Sequence, residues 1–200
     1  MTSNYLQFSI AADNNRLYIL EKLRTYFVEP GTVLEIGSGS GQHAVFFASK
    51  LEHLVWQPSD RSEYLRALNE NLAALSGKNV LPALLLDVSL GSWPVEFVDY
   101  IFAANVLHIM AERDVPQFFS GAGNHTKQQS KLCLYGPYKY AGEFTTESNA
   151  RFDEWLKGRD PESGIRDIEW VNELAQKNNF ELVNDYNMPA NNQFLVFEKR

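Results

Sequence analysis

Apolar residues along this chain recur in two ways, at helical spacing and in short continuous runs, and the two alternate. Such alternation predicts helices and buried strands in turn. After a polar, mixed lead-in over residues 1–12, Leu17, Leu20, Leu23 and Phe27 mark a helix from Asp13, its candidate cap, to Pro30-Gly31. Val33–Ile36 reads as the first strand and His43–Leu51 as a short amphipathic helix. Leu54–Gln57 is the second strand, ending at Pro58-Ser59-Asp60. The segment Arg61–Leu75 carries Leu65, Leu68, Leu72 and Leu75 on one helical face, with Ser59 or Asp60 as cap. Leu81–Leu86, broken in type only by Pro82, is expected as a third buried parallel strand. Asp99–Ala104 and Lys131–Tyr135 are the fourth and fifth, with a helix near Arg113–Ala122 between them. A further amphipathic helix, Ile168–Asn178, precedes strands at Phe180–Asn187 and Gln193–Lys199. The short link at 188–192 makes those two an antiparallel hairpin, so the last strand breaks a parallel sheet. The expectation is a single α/β domain over residues 1–200, with seven strands, mostly parallel, and an antiparallel last one.

The first strand runs into Glu35-Ile36-Gly37-Ser38-Gly39-Ser40-Gly41-Gln42. Glycines at a strand-to-helix turn let backbone N–H groups approach a nucleotide-like ligand. A G-x-G-x-x-G dinucleotide fingerprint counted from Gly37 meets Gln42 where its third glycine belongs, and counted from Gly39 it reaches only Ala44. The acid two residues before Gly37 adds nothing for a pyrophosphate but suits a ligand with a cationic centre. A turn that binds nothing is the bland alternative. Asp60, at the end of the second strand, stands where a ribose-binding acid belongs, and could equally be a helix cap. Beyond the fourth strand, Asn105 and His108 are the polar groups offered at the ligand end of the sheet. His108 reads either as a general base or as a satisfied structural histidine.

Composition narrows the partners. A net charge of −7 with no Lys/Arg cluster argues against a nucleic-acid substrate. No run approaches the roughly 18 apolar residues of a membrane span, and the N-terminus lacks a secretory pattern. The single cysteine, Cys133, lies in an apolar run and reads as a buried small hydrophobe. These features fit a cytoplasmic protein without a membrane partner, acting on a small-molecule substrate. No metal site is read, and the oligomeric state is left open. The connection at 136–167 is long for a plain crossover and is expected to cover the substrate. Within it Phe152, Trp155 and Leu156 space as one helical face and read as core.

Glu35 to Gly41 resembles motif I of class I S-adenosylmethionine-dependent methyltransferases. That resemblance implies a three-layer Rossmann-like fold whose seventh strand is reversed, and S-adenosyl-L-methionine as cofactor. It implies that Glu35, Gly37, Ser38, Gly39 and Gly41 surround the methionine part and that Asp60 holds the ribose. Asp87 would meet the adenine amino group, with Val88 packing on the ring; a strand-end aspartate capping a turn is the alternative. Asn105 would face the transferred methyl. Arg16, in the first helix, would meet the methionine carboxylate or else be a solvated surface arginine.

Further segments are similar to an uncharacterised group of about two hundred residues that includes methyltransferase-like 26 proteins. They include Ser9-Ile10-Ala11-Ala12, Trp56-Gln57-Pro58-Ser59-Asp60, Gly136-Pro137-Tyr138, Arg159-Asp160-Pro161 and Met188-Pro189-Ala190-Asn191-Asn192. The group's early arginine is replaced here by Asn14. The implied activity is methyl transfer to a small acceptor, with His108, Tyr138 and Glu143 as candidates to orient or deprotonate it. The alternative is a cofactor-binding protein without transferase activity that works through a partner; a nicotinamide-dependent oxidoreductase is a third reading.

Overall fold

The computed structural model describes residues 5–200. The lead-in expected over residues 1–12 falls partly on residues 1–4, outside the described residues, and its remainder already contains the first helical turn. Helix α1 spans Ile10–Tyr26 and is capped by Ser9, whose side chain accepts from the Ala12 N–H. Asp13, expected as the cap, sits inside the first turn, where its charge favours the helix N-terminus.

Strands β1 (Gly31–Ile36), β2 (Leu54–Asp60), β3 (Leu84–Leu85), β4 (Val98–Ala104) and β5 (Thr126–Gly136) alternate with α2 (Gln42–Ala48), α3 (Ser62–Leu75) and α4 (Val115–Asn124). There follow β6 (Tyr138–Tyr140), β7 (Glu143–Phe144), α5 (Glu147–Arg159), β8 (Arg166–Asp167), α6 (Ile168–Lys177), β9 (Phe180–Met188) and β10 (Asn192–Lys199). Seven strands form one sheet in the order β3-β2-β1-β4-β5-β10-β9. The last strand, β10, lies antiparallel to both of its neighbours, and the pairs from β3 to β5 are parallel.

Side-chain alternation along the strands divides the core into two layers. Leu34, Ile101, Leu132 and Leu195 point to the face covered by Phe118 and Phe119 of α4 and Val171 of α6. Val33, Phe102, Cys133 and Val196 point to the other face, under Leu23 of α1, Phe47 of α2 and Leu68 of α3. Helices on both faces of a sheet of near-continuous apolar strands make a three-layer α/β sandwich. Burial pushes the Cys133 thiol up, which keeps it protonated and unreactive.

Three expectations are corrected. The third strand is only Leu84–Leu85 at the sheet edge, and Leu85 is exposed, because Pro82 removes a ladder donor and only one neighbour is present. Neither Ser59 nor Asp60 caps α3, whose N-cap position is Arg61 without a side-chain cap bond. Trp155 is not core: it is 54% exposed, while Leu156 beside it is buried. The 136–167 segment contains a second sheet, ordered β7-β6-β8, and helix α5.

Strand order reverses between β1 and β4, so the loops leaving these two strands separate and open a crevice at their carboxyl ends. Phe102, on β4, is fully buried and meets Phe47 and Trp56 edge-on at 5.5 and 6.1 Å. Replacing Phe102 by Ala is expected to cost about 3–5 kcal/mol by urea denaturation, since the opened cavity has aromatic walls on several sides.

Candidate functional site

At the switch point lies a cleft of about 660 Å³. Its near wall is the turn after β1, and that turn is bonded to the end of β2. Ser38 N donates to Ser59 O (3.0 Å), Ser59 N to Ser38 Oγ (3.1 Å) and Ser59 Oγ to Glu35 O (2.7 Å). Gly39 N donates to Asp60 Oδ2 (2.7 Å), while Asp60 Oδ1 accepts from Arg61 N (2.8 Å). The Asp60 carboxylate thus spends one lone pair per oxygen on the backbone and keeps others toward the cleft. Burial raises its pKa and these two N–H bonds oppose the rise.

The glycines of the turn have separate tasks. Gly39 has φ of 55°, and a Cβ there would meet nothing within 4 Å, so its open side is cleft. Gly41 also has φ of 77°, but its Cβ would press on Leu68 Cδ1 at 2.9 Å. It is required for packing α2 against α3 and does not line the cleft. Asn105, just past β4, is held at φ of 60°, with its N–H donating to Tyr135 O (2.7 Å). Asparagine is among the non-glycine residues that adopt this left-handed conformation most readily, and here it turns the chain at the end of β4.

Gly37, Ser38, Gly39, Asp60, Asp87, Val88 and Asn105 line this one cleft. Asp87 caps the turn at Val88–Leu90 through Oδ1, which accepts from Ser89 N (3.0 Å) and Ser89 Oγ (2.7 Å). Among the described residues Oδ2 of Asp87 accepts no hydrogen bond, so the cap and a ligand contact can coexist.

The remaining sequence candidates lie elsewhere. Arg16 pairs with Asp13 at 2.8 Å, lies over the Phe46 ring and does not line the cleft. Glu35 is 2% exposed beneath the turn, its carboxylate accepting from Trp56 Nε1 (2.8 Å). Burial pushes its pKa up to about 8, against the opposing Trp56 and Ser38 hydrogen bonds. His108 is buried behind Gly136 with Phe152 against its ring, and burial, then the Arg166 charge, lowers its pKa to about 4. Tyr138 belongs to the apolar core and Glu143 is exposed on β7. None of His108, Tyr138 and Glu143 lines the cleft.

Other residues do, and pattern reading missed them. Gln42, the residue that broke the dinucleotide fingerprint, clamps α1 over the turn: its Oε1 accepts from Ser9 N (2.6 Å) and its Nε2 donates to Ser9 O (3.1 Å). The neighbouring His43 ring bonds Asn15 Oδ1 at 2.7 Å, and burial lowers its pKa to about 4. Arg166, 5% exposed and not itself part of the cleft lining, donates to the carbonyls of Leu107 (3.1 Å), Met110 (2.7 Å) and Glu162 (2.8 Å). It ties the loop after β4 to the segment that supplies Leu156, Arg159 and Ser163 to the cleft.

Residues 6–199 match the family model described as "Protein of unknown function (DUF938)". The chain belongs to this family. Among solved structures it is similar to an O-methyltransferase family protein from Burkholderia thailandensis, with a TM-score of 0.81 and 12% identity over 94% of this chain and 56% of that one. It is also similar to human N-acetylserotonin methyltransferase in complex with S-adenosylmethionine, with a TM-score of 0.80 and 14% identity over 94% and 52%. For mitomycin 7-O-methyltransferase the values are 0.80 and 16%, over 95% and 54%. The chain therefore spans just over half the length of these proteins. Its fold is the Rossmann-like one of class I methyltransferases, and at these identities the likeness concerns the fold alone. No described helix is long and apolar enough to cross a membrane.

Glu35 links the site to pH. Its folded pKa near 8 lies above the ordinary carboxylate value of 4.5, so the folded state binds the extra proton between these two. Stability is then highest below pH 4.5 as far as this group is concerned and falls as pH rises through 8. Glu35→Gln keeps an acceptor for Trp56 and has no charge to bury. Its urea midpoint is expected to gain on the parent steadily from pH 5 to pH 8; a constant difference would place the buried charge elsewhere.

Proposed function

We propose that this chain binds S-adenosylmethionine in the cleft at the β1/β4 switch point and transfers its methyl group to a small acceptor. The observation that carries this reading is Asp60: a carboxylate at the end of β2, bonded to Gly39 N and bordering the cleft beside the open face of that glycine. The residues present fit the cofactor's chemistry. The turn at Gly37–Gly39 would face the methionine part, Asp60 would accept from the ribose hydroxyls, and Asp87 would accept from the adenine amino group with Val88 against the ring. The methyltransferase folds of the solved neighbours support the same reading, as does the complex of one of them with S-adenosylmethionine. Arg16 is left out of it, and Glu35 acts from beneath the turn, as a buried hydrogen-bond partner of Trp56 and not as a ligand contact.

When bound, the cofactor would supply a methyl on a sulfonium, an activated donor for the lone pair of an acceptor whose proton would pass to water or a base. What the protein must add is alignment and exclusion of water. Asn105, Val106, Met110 and Ser163 stand along that part of the cleft. A small acceptor, not a nucleic acid, agrees with the net charge of −7. The narrower kinship with the group that includes methyltransferase-like 26 proteins is part of this proposal, resting on the segments quoted above. One observation favours the second reading, a cofactor-binding protein that acts through a partner: His108, Tyr138 and Glu143 all lie off the cleft. It does not displace the first, because an activated sulfonium needs no obligatory protein base.

Calorimetry separates the readings. S-adenosylmethionine and S-adenosylhomocysteine are expected to bind and NAD is not. Asp60→Asn should weaken both sulfur ligands at least about tenfold, the cost of hydrogen bonds to a charged group, with an unfolding midpoint close to the parent's. Undiminished affinity in that variant would reduce Asp60 to a backbone clamp.

A further inference from the structure

We propose that Arg159 recognises a carboxylate on the acceptor, and that the acceptor is a small monoanionic acid with an apolar body. This rests on the methyl-transfer reading for the role of the cleft, but its observations are separate. Three guanidinium groups line the cleft. Arg61 pairs with Glu63 at 2.8 Å, and Arg113 pairs with Glu162. Arg159 alone has no carboxylate or carbonyl partner among the described residues.

Arg159 is nevertheless held in place. It ends α5, and its guanidinium lies 4.8 Å from the centre of the Trp155 ring. Trp155 stacks on Phe152 at 5.8 Å and 16°, and Phe152 meets the buried His108 ring edge-on at 5.4 Å. The stack explains why a tryptophan stands 54% exposed here: it is a platform that orients a cation. A guanidinium so placed offers a planar fork of donors that matches a carboxylate bidentately.

The adjoining wall is apolar. Leu156 lies one turn from the end of α5, and Ile109 and Met110 face it from the loop after β4. Ile109 is 56% exposed, and an apolar side chain left open on a cleft wall gains when an apolar ligand covers it. Asp114 and Asp160 border the cleft near Arg159, so a phosphate dianion is repelled more strongly there than a monoanionic carboxylate.

The test is saturation-transfer NMR on the full chain saturated with S-adenosylhomocysteine, using phenylacetate against phenylacetamide, octanoate against octanamide, and phenyl phosphate. The acids are expected to bind at least about tenfold more tightly than their amides and than phenyl phosphate. Arg159→Gln should erase the acid–amide difference while affinity for S-adenosylhomocysteine, read by calorimetry on the same samples, stays unchanged. Absence of an acid–amide difference in the parent overturns the proposal, whether through equal binding or none. So does a difference that survives in Arg159→Gln, or a preference for phenyl phosphate. Failure of S-adenosylhomocysteine to bind would instead strike the donor reading, and the acid–amide comparison on the ligand-free chain would still decide the role of Arg159.

Discussion

The turn after β1 carries Gly37, Gly39 and Gly41 at positive φ, which glycine permits but does not select, and it is fixed by the end of β2. Ser59 contributes its backbone N–H, its carbonyl and its hydroxyl to that turn, and Asp60 receives the Gly39 N–H. These bonds are shielded from water, where a lost partner costs more than a surface bond would. They exist only because β1 and β2 pair in parallel with Ile36 opposite Ser59. A slip of one residue would send Ser59 and Asp60 to the wrong faces. The register of one strand pair thus decides whether the cleft has a floor.

Above that floor, two further clamps join elements distant in the chain. Gln42 holds the cap residue of α1 on both its N–H and its carbonyl, so the helix begins at the cleft edge. Arg166 collects three carbonyls from the loop after β4 and from the segment after α5. A guanidinium can serve several acceptors at fixed angles, which suits a junction of irregular backbone. Glu35 is the costliest group in this arrangement. Its carboxylate is removed from water, and the rise of its pKa is the electrostatic record of that removal.

Much of the molecule was legible in the residue pattern. The runs at Val33–Ile36 and Lys131–Tyr135 belong to strands buried on both faces, and apart from Glu35 and Lys131 they are apolar throughout. Asp60, Asp87 and Asn105 line one cleft because strand ends in a switched sheet converge on one place, and order along the chain locates them. Arg16 and Glu35 misled for opposite reasons. The charge of Arg16 is satisfied three residues away by Asp13, and that of Glu35 points back to Trp56 on β2. His108, Tyr138 and Glu143 have the right chemistry at the right end of the sheet, yet none of them lines the cleft.

By itself the sequence determined the seven strands of the main sheet and the reversed last one, which follow from apolar runs and loop length, and the glycine turn, which follows from its residues. These are local quantities, whereas the second sheet at β6–β8 was not read. Only the tertiary structure decided which polar side chains share the cleft. Gln42 reaches Ser9 across 33 positions, and Arg166 reaches Leu107 across 59. Arg159 is turned toward the rim by Trp155, whose exposure the helical spacing did not foretell. Side-chain direction at such range depends on register, crossing and packing at once, and no local pattern records it.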